Sequence, residues 1–289
     1  MDLKIAIASG KGGTGKTFIS TNLFRTLEKQ NEHITLIDCD AEEPNVLQFL
    51  SGEIVNESKV LQYIPEINTK NCTYCGKCYE YCNYNALLFL KERKYIKVIE
   101  DQCHGCGACT VACKFNAITE KEDELGVITK LKTSENACII EGRTHVGVHS
   151  PVSTIKASIK KANNGVVILD SPPGTSCPFI QTAAQADIVI LVTEPTPFGL
   201  SDLKQAIETL KTINKCYAVV VNKTGLGSNE IYEYLQHENI ELLMQIPFDK
   251  HIALSYSKGE ILVDSNEEWQ LKFNDLYNSI VKKYGNCGN

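Results

Sequence analysis

Hydrophobic positions along this chain gather into short, nearly continuous runs at residues 3–8, 34–37, 166–169, 188–192, 217–221 and 242–246. Runs of four to six residues with little polar alternation read as strands buried on both faces, the pattern of a parallel sheet. Between them the apolar period lengthens. Phe18, Leu23 and Leu27 share one side of a helix that follows the first run, and a second helix opens near Gly199. Trp269, Phe273, Leu276, Ile280 and Tyr284 recur at helical spacing over residues 267–284. Alternating strands and helices predict an α/β fold, a mostly parallel, doubly wound sheet with helices on both faces. Residues 127–131, 138–140 and 145–148 read as further strand-like material.

A different composition interrupts this pattern between about residues 66 and 124. Eight of the chain's 13 cysteines lie there, in two units: Cys72, Cys75, Cys78, Cys82 and Cys103, Cys106, Cys109, Cys113. Each unit reads C-x₂-C-x₂-C-x₃-C, and each cysteine recurs 31 positions later (103 − 72 = 31; 113 − 82 = 31). The sequence after the fourth cysteine repeats as well, Tyr84-Asn85-Ala86-Leu87 against Phe115-Asn116-Ala117-Ile118. The segment resembles a two-cluster bacterial ferredoxin, in which three closely spaced thiolates hold one cluster and the fourth reaches the other. That resemblance implies one four-iron cluster on Cys72, Cys75, Cys78 and Cys113, and a second on Cys103, Cys106, Cys109 and Cys82. Asn83 and Lys114 stand where bacterial ferredoxins usually carry proline. Two four-cysteine zinc sites are the competing interpretation, since zinc also uses short C-x₂-C pairs. The charged residues 120–124 read as a solvated boundary closing the insert. The expected organisation is therefore 1–65 and 125–289 as the α/β domain, with 66–124 as an inserted ferredoxin-like α+β domain.

Between the first strand and its helix stands Gly10-Lys11-Gly12-Gly13-Thr14-Gly15-Lys16-Thr17. Gly10, Gly15, Lys16 and Thr17 fit the G-x-x-x-x-G-K-S/T phosphate loop, whose backbone amides cradle phosphates while the lysine neutralises them and the hydroxyl reaches Mg²⁺. Two more apolar runs end in carboxylates: 34–37 leads to Asp38-Cys39-Asp40, and 166–169 to Asp170 with Ser171-Pro172-Pro173-Gly174-Thr175 behind it. Carboxylates at the C-terminal tips of parallel strands lie where doubly wound folds bind ligands.

Lys11, directly after the first glycine, is a second lysine that an ordinary phosphate loop does not need. With it the chain resembles the deviant Walker ATPases of the MinD/ParA superfamily, which include the nitrogenase iron protein and the Mrp-type iron–sulfur carriers. The resemblance implies ATP and Mg²⁺ as ligands and an ATP-dependent homodimer in which Lys11 reaches the partner's nucleotide. It implies switch I at Asp38–Asp40, with Asp40 positioning the attacking water and Asp38 nearer the metal, the two roles being interchangeable. Asp170 then holds the metal's water shell, Gly174 senses the γ-phosphate, Asn222 reads the adenine and the backbone at Pro247 flanks the base. Gly225 stands where a guanine-reading N-K-x-D motif needs aspartate, which favours ATP.

Composition narrows the partners. A net charge of −6 disfavours a general nucleic-acid or anionic-membrane binder. The terminal helix is not rich in lysine and arginine, so it reads as packed on the sheet rather than as a membrane anchor. No apolar run reaches the length of a membrane span. A cytoplasmic location follows as an expectation, with cysteines kept reduced. Cys39, Cys138, Cys177, Cys216 and Cys287 are read by default as buried structural thiols, and His145 and His149 as structural or surface residues. The function expected is an ATPase whose nucleotide-driven dimer switch is coupled to electron transfer through two 4Fe–4S clusters, delivered to a redox acceptor protein. The rivals are a carrier or maturation factor for metal–sulfur cofactors, and a positioning ATPase with a redox switch.

Overall fold

The computed structural model describes residues 2–285; Cys287 lies outside the described residues. Two compact units are present: residues 1–58, 128–143 and 152–289 form the first, and residues 59–127 with 144–151 form the second.

The first unit is built on parallel strands β1 (Leu3–Ala8), β2 (Ile34–Asp38), β7 (Ala137–Thr144), β8 (Val166–Asp170), β9 (Ile188–Thr193), β10 (Cys216–Thr224) and β11 (Leu242–Pro247). Two 15-residue strands, β3 (Glu53–Ile67) and β6 (Ile118–Lys132), complete the order β11-β10-β9-β1-β8-β2-β7-β6-β3. Helix α1 (Lys16–Lys29) follows the phosphate loop and buries Phe18, Leu23, Phe24 and Leu27 against the sheet core. The long terminal helix, Glu267–Tyr284, buries Trp269, Phe273, Leu276 and Ile280 in the same core. Its apolar stripe is thereby used up in packing. Among the described residues no helix is long and apolar enough to cross a membrane.

The polar sequence of β3 hid it. Most of its residues are exposed, so no hydrophobic alternation marks it, and Pro65 sits within it. An edge strand tolerates both, since one side has no ladder to complete. The charged residues 120–124 lie inside β6 and bond to its neighbours. Glu120 accepts from Thr110 (2.9 Å), Lys121 pairs with Glu100 (2.8 Å), Asp123 accepts from Gln62 (2.8 Å) and Glu124 pairs with Lys59 (2.6 Å). Residues 145–148 are not a strand. β7 stops at Thr144, and Gly147, with φ +94°, turns the chain.

The second unit contains two short helices, α2 (Lys77–Glu80) and α3 (Ala108–Ala112), and an antiparallel hairpin of β4 (Leu87–Leu90) and β5 (Tyr95–Val98). Its core gathers Cys78, Leu87, Ile96, Cys109 and Ile118. The 31-residue repeat of the sequence is repeated in the backbone. Left-handed conformations occur at Tyr74, Gly76 and Asn85 (φ +54°, +83°, +54°) and again at Gly105, Gly107 and Asn116 (φ +60°, +71°, +49°). Burial repeats too: Cys75 and Cys106 are exposed, Cys78 and Cys109 buried, and the other four intermediate.

Candidate functional site

Gly15, in the left-handed region at φ +100°, ends the phosphate loop and starts α1, so that the loop amides and the helix N-terminus face one space. A side chain at Gly10 would collide with the Asp202 carbonyl, and one at Gly15 with the Asn222 amide, so neither position has room for a Cβ. A cavity of about 320 Å³ lies over the loop, lined by Gly12, Gly13, Gly15, Lys16 and Thr17 on one side and Asp38, Asp40, Asn45, Asp170, Ser171 and Tyr256 on the other. That is the size of a small-molecule site. The Thr14 hydroxyl of the loop is buried without a hydrogen-bond partner.

The carboxylates divide their work. Asp38 and Asp170 are register neighbours at the tips of β2 and β8. Asp38 accepts the backbone N–H groups of Asp40 (3.0 Å), Asn45 (2.7 Å) and Val46 (2.9 Å), which ties down the segment after β2. Asp170 accepts from Thr17 Oγ1 (2.7 Å) and from Ser20 Oγ (3.0 Å), a hydroxyl the motif alone did not single out. Asp40 is only half-buried and faces the cavity. Burial, then the facing Asp170, raises the Asp38 carboxyl, and burial raises Asp170. Burial lowers the Lys16 ammonium against the opposing pull of Asp170, Asp40 and Asp38. Three carboxylates thus share one buried lysine. This cluster of hydroxyl and carboxylate oxygens, short of positive charge, suits a hard divalent cation such as Mg²⁺.

Lys11 is held within its own chain. Its ammonium pairs with Glu194 at the C-terminal end of β9, and Lys223 binds the other carboxylate oxygen of Glu194 at 3.0 Å while also donating to the Gly13 carbonyl at 3.0 Å. Burial alone would push Glu194 up, but its hydrogen bonds from Lys11 and Lys223 hold it below the usual carboxylate range. Asn222, expected at the adenine, donates to the Thr14 carbonyl (2.8 Å) and accepts from the Lys223 amide (2.8 Å). Glu194 and Lys223 were not singled out from sequence, although a residue just past a parallel strand's C-terminus is where such a group belongs. Glu194→Gln is expected to tighten ATP binding several-fold, because it removes the anion competing with phosphate for two lysines. Titration with a fluorescent ATP analogue checks this, and unchanged or weaker binding contradicts it.

In the second unit, Cys72, Cys75, Cys78 and the distant Cys113 line one cavity, closed by Ile67, Phe89, Ile96 and Ile118. Burial pushes the Cys78 thiol up to about 11, with smaller pushes from Cys72, Cys109 and Cys75. Burial likewise raises Cys103, which has Cys106 and Cys82 as neighbours, and Cys109, which has Cys103. Backbone amides point at sulfur: Tyr74 N–H donates to Cys72 Sγ (3.4 Å) and Ala86 N–H to Cys82 Sγ (3.3 Å). Among the described residues no three His, Cys, Asp or Glu side chains converge to hold a metal ion. One ion draws thiolates to about 2.3 Å from itself, whereas a cubane spreads them over its corners. All-sulfur donors, amide hydrogen bonds and apolar walls are the chemistry of an iron–sulfur site.

The remaining sequence candidates do not line the cavity over the loop. Gly174, at φ +88°, donates its N–H to the Ser9 carbonyl (3.1 Å) next to the loop. Pro247 ends β11, in register with Thr224, and does not line the cavity. Cys39 and Cys138 are buried as expected, and Cys216 is intermediate. Cys177 is a correction: it is exposed, at the first turn of a helix (Cys177–Gln185) that opens behind the 171–176 loop, because Phe179 and Ala183 on the other face take the burial.

A family profile described as the CobQ/CobB/MinD/ParA nucleotide binding domain matches residues 5–263. A protein of Methanocaldococcus jannaschii designated MJ0579 is 34% identical over 285 residues, covering 96% of this chain and 94% of its own. An iron-sulfur cluster carrier protein of Pyrococcus horikoshii is 24% identical over 268 residues, covering 85% of this chain and 74% of its own. Among solved structures, the septum site-determining protein MinD of Pyrococcus horikoshii with Mg-ADP superposes with a TM-score of 0.61 at 19% identity, covering 100% and 99% of the two chains. The parallel sheet that carries the phosphate loop and the paired aspartates has the fold of that solved structure, and the chain is a member of the CobQ/CobB/MinD/ParA nucleotide-binding family.

Proposed function

We propose that this ATPase couples a nucleotide-driven dimer switch to electron transfer through two 4Fe–4S clusters. The observation that carries the proposal is the cavity shared by Cys72, Cys75, Cys78 and Cys113 in a chain whose other unit is a phosphate-loop ATPase. Cys103, Cys106, Cys109 and Cys82 hold the second cluster, and the ferredoxin-like domain spans 66–124 between the ATPase segments 1–65 and 125–289. The clusters, when bound, supply one-electron storage; Mg²⁺ neutralises phosphate charge. Lys16 and the amides of Gly12–Lys16 hold the ATP phosphates, Thr17 and Asp170 face the metal, Asp40 orients water, and Gly174 reports on the γ-phosphate. Asn222 and Pro247 lie toward the base. Lys11 leaves Glu194 to reach the partner's ATP, closing a homodimer.

Connectivity supports coupling. Asp38 pins the amides of Asn45 and Val46, and the chain runs from there through the turn Val46–Gln48 directly into β3, which leads to Cys72. Protein purified without oxygen is expected to carry about eight irons and eight sulfides per chain. Electron delivery from the reduced clusters to an acceptor is expected to change with ATP. Equal rates with and without ATP, in protein that hydrolyses it, sink the coupling.

A carrier of metal–sulfur cofactors is the second reading, favoured by the exposed thiol of Cys177 and by relatives named as iron-sulfur cluster carriers. It predicts a labile cluster beyond the eight-cysteine set, lost in Cys177→Ser and transferable to an apo-protein.

A further inference from the structure

The β4–β5 hairpin forms a wall of the Cys72/Cys75/Cys78/Cys113 cavity. Phe89 and Ile96, paired across the hairpin, line that cavity, and a Cβ on Gly76 would sit 2.9 Å from the Phe89 ring. The opposite face of the same two strands is open. Leu88, Leu90 and Tyr95 are 44%, 41% and 43% exposed, with Leu88 paired to Lys97 and Leu90 to Tyr95. Around this apolar centre stand Lys91, Arg93, Lys94 and Lys97 against the single acid Glu92, a net charge of +3 (4 − 1) over residues 87–98 in a chain of net −6. Among the described residues none of the four cations makes an ion pair. The acids of β6, by contrast, are already engaged: Glu120 with Thr110, Asp123 with Gln62, Glu124 with Lys59. Four cations without an ion pair are therefore gathered on one hairpin, on the outer side of the wall that covers the cysteines.

We infer that this outer face is the docking site for an acidic electron-carrier protein. The inference rests on the two-cluster reading and names the class of partner for it. An apolar centre ringed by unpaired cations fits a small protein interface whose partner presents carboxylates around its redox centre. A nucleic acid would need a longer track of phosphate contacts than one hairpin tip offers. A partner on this face is separated from the cysteines by a single sheet layer, about 10 Å.

The test measures binding of flavodoxin, as an acidic carrier, and of cytochrome c, as a basic one, to the purified protein and to the triple variant Lys91→Glu, Arg93→Glu, Lys97→Glu. Flavodoxin is expected to bind the wild type in a salt-sensitive complex, at least tenfold weaker in the triple variant and by an intermediate factor in the Lys91→Gln, Arg93→Gln, Lys97→Gln variant. Iron content, dithionite reduction and ATP hydrolysis should be equal in all three. Flavodoxin affinity that ignores the substitutions, tighter binding of cytochrome c, capture of an oligonucleotide, or a change in oligomeric state overturns the inference. Protein that holds no clusters overturns the two-cluster reading and this inference together. Protein with clusters that dithionite reduces, but with flavodoxin binding blind to the hairpin, overturns the docking site alone.

Discussion

Replacing Cys113 by serine is expected to remove the same four-iron cluster as replacing Cys72, although the two residues lie 41 positions apart (113 − 72 = 41). The cavity joins Cys113 to Cys72, Cys75 and Cys78 and leaves out Cys82, which instead neighbours Cys103. Iron per chain should fall from about eight to about four in either single variant. Double variants then separate the crossed arrangement from a sequential one. Cys72→Ser with Cys113→Ser should lose no more iron than either alone, because both remove one cluster. Cys72→Ser with Cys82→Ser should lose nearly all of it, because the crossed arrangement puts those two ligands on different clusters. The reverse result would assign each cluster to one consecutive run of four cysteines and break the two-cluster ferredoxin reading. Electron paramagnetic resonance of the reduced single variants provides a second readout, since Cys113→Ser and Cys72→Ser should leave the same spectrum. Loss of ligands without loss of fold is checked by ATP hydrolysis, which depends on the other unit.

The two lysines of the phosphate loop should fail in different ways. Lys16 is buried against Asp170, Asp40 and Asp38, and Lys16→Ala is expected to abolish ATP binding outright. Lys11 is about one-third exposed and tied to Glu194, outside the cavity lining. Lys11→Ala should therefore bind ADP nearly as the wild type does, yet lose ATP-dependent dimerisation. Turnover should drop on the order of 10³-fold, the scale of a cation supplied in trans to phosphoryl transfer. Analytical ultracentrifugation with ADP and with ATP reads the dimer, and a phosphate-release assay reads turnover. Mixing the two inactive variants should restore measurable turnover, because a Lys11→Ala subunit keeps a complete loop lysine and a Lys16→Ala subunit can supply Lys11. A Lys11→Ala protein that dimerises and hydrolyses ATP unaided would end the trans-acting role.

Much of the α/β unit was legible because its signals are local. A continuous apolar run such as 166–169 becomes a strand buried on both faces wherever the sheet places it, and an aspartate at its tip stays at the tip. Trp269, Phe273, Leu276 and Ile280 at helical spacing gave the buried face of the last helix for the same reason. Strand β3 was illegible because its polarity matches that of a loop, and only pairing at the sheet edge makes it a strand. The charged residues 120–124 are solvated as their charge implies, with 120–122 exposed, but that charge hid the strand they belong to; Thr110, Glu100, Gln62 and Lys59 partner them from neighbouring segments.

By itself the sequence determined the chemistry-bearing set: a phosphate loop with a second lysine, aspartates at the tips of two strands, and a cysteine unit duplicated at 31 residues. Those are short-range patterns, and short loops take their geometry from their own residues. Only the tertiary structure decided which groups meet. It set Glu194 on Lys11 across 183 residues, Asn222 on Thr14 across 208, and Cys177 at the surface rather than in the core. The physical reason is the same throughout: hydrogen bonds, ion pairs and burial depend on distances in space, and spacing along a chain encodes those only within a turn or a loop.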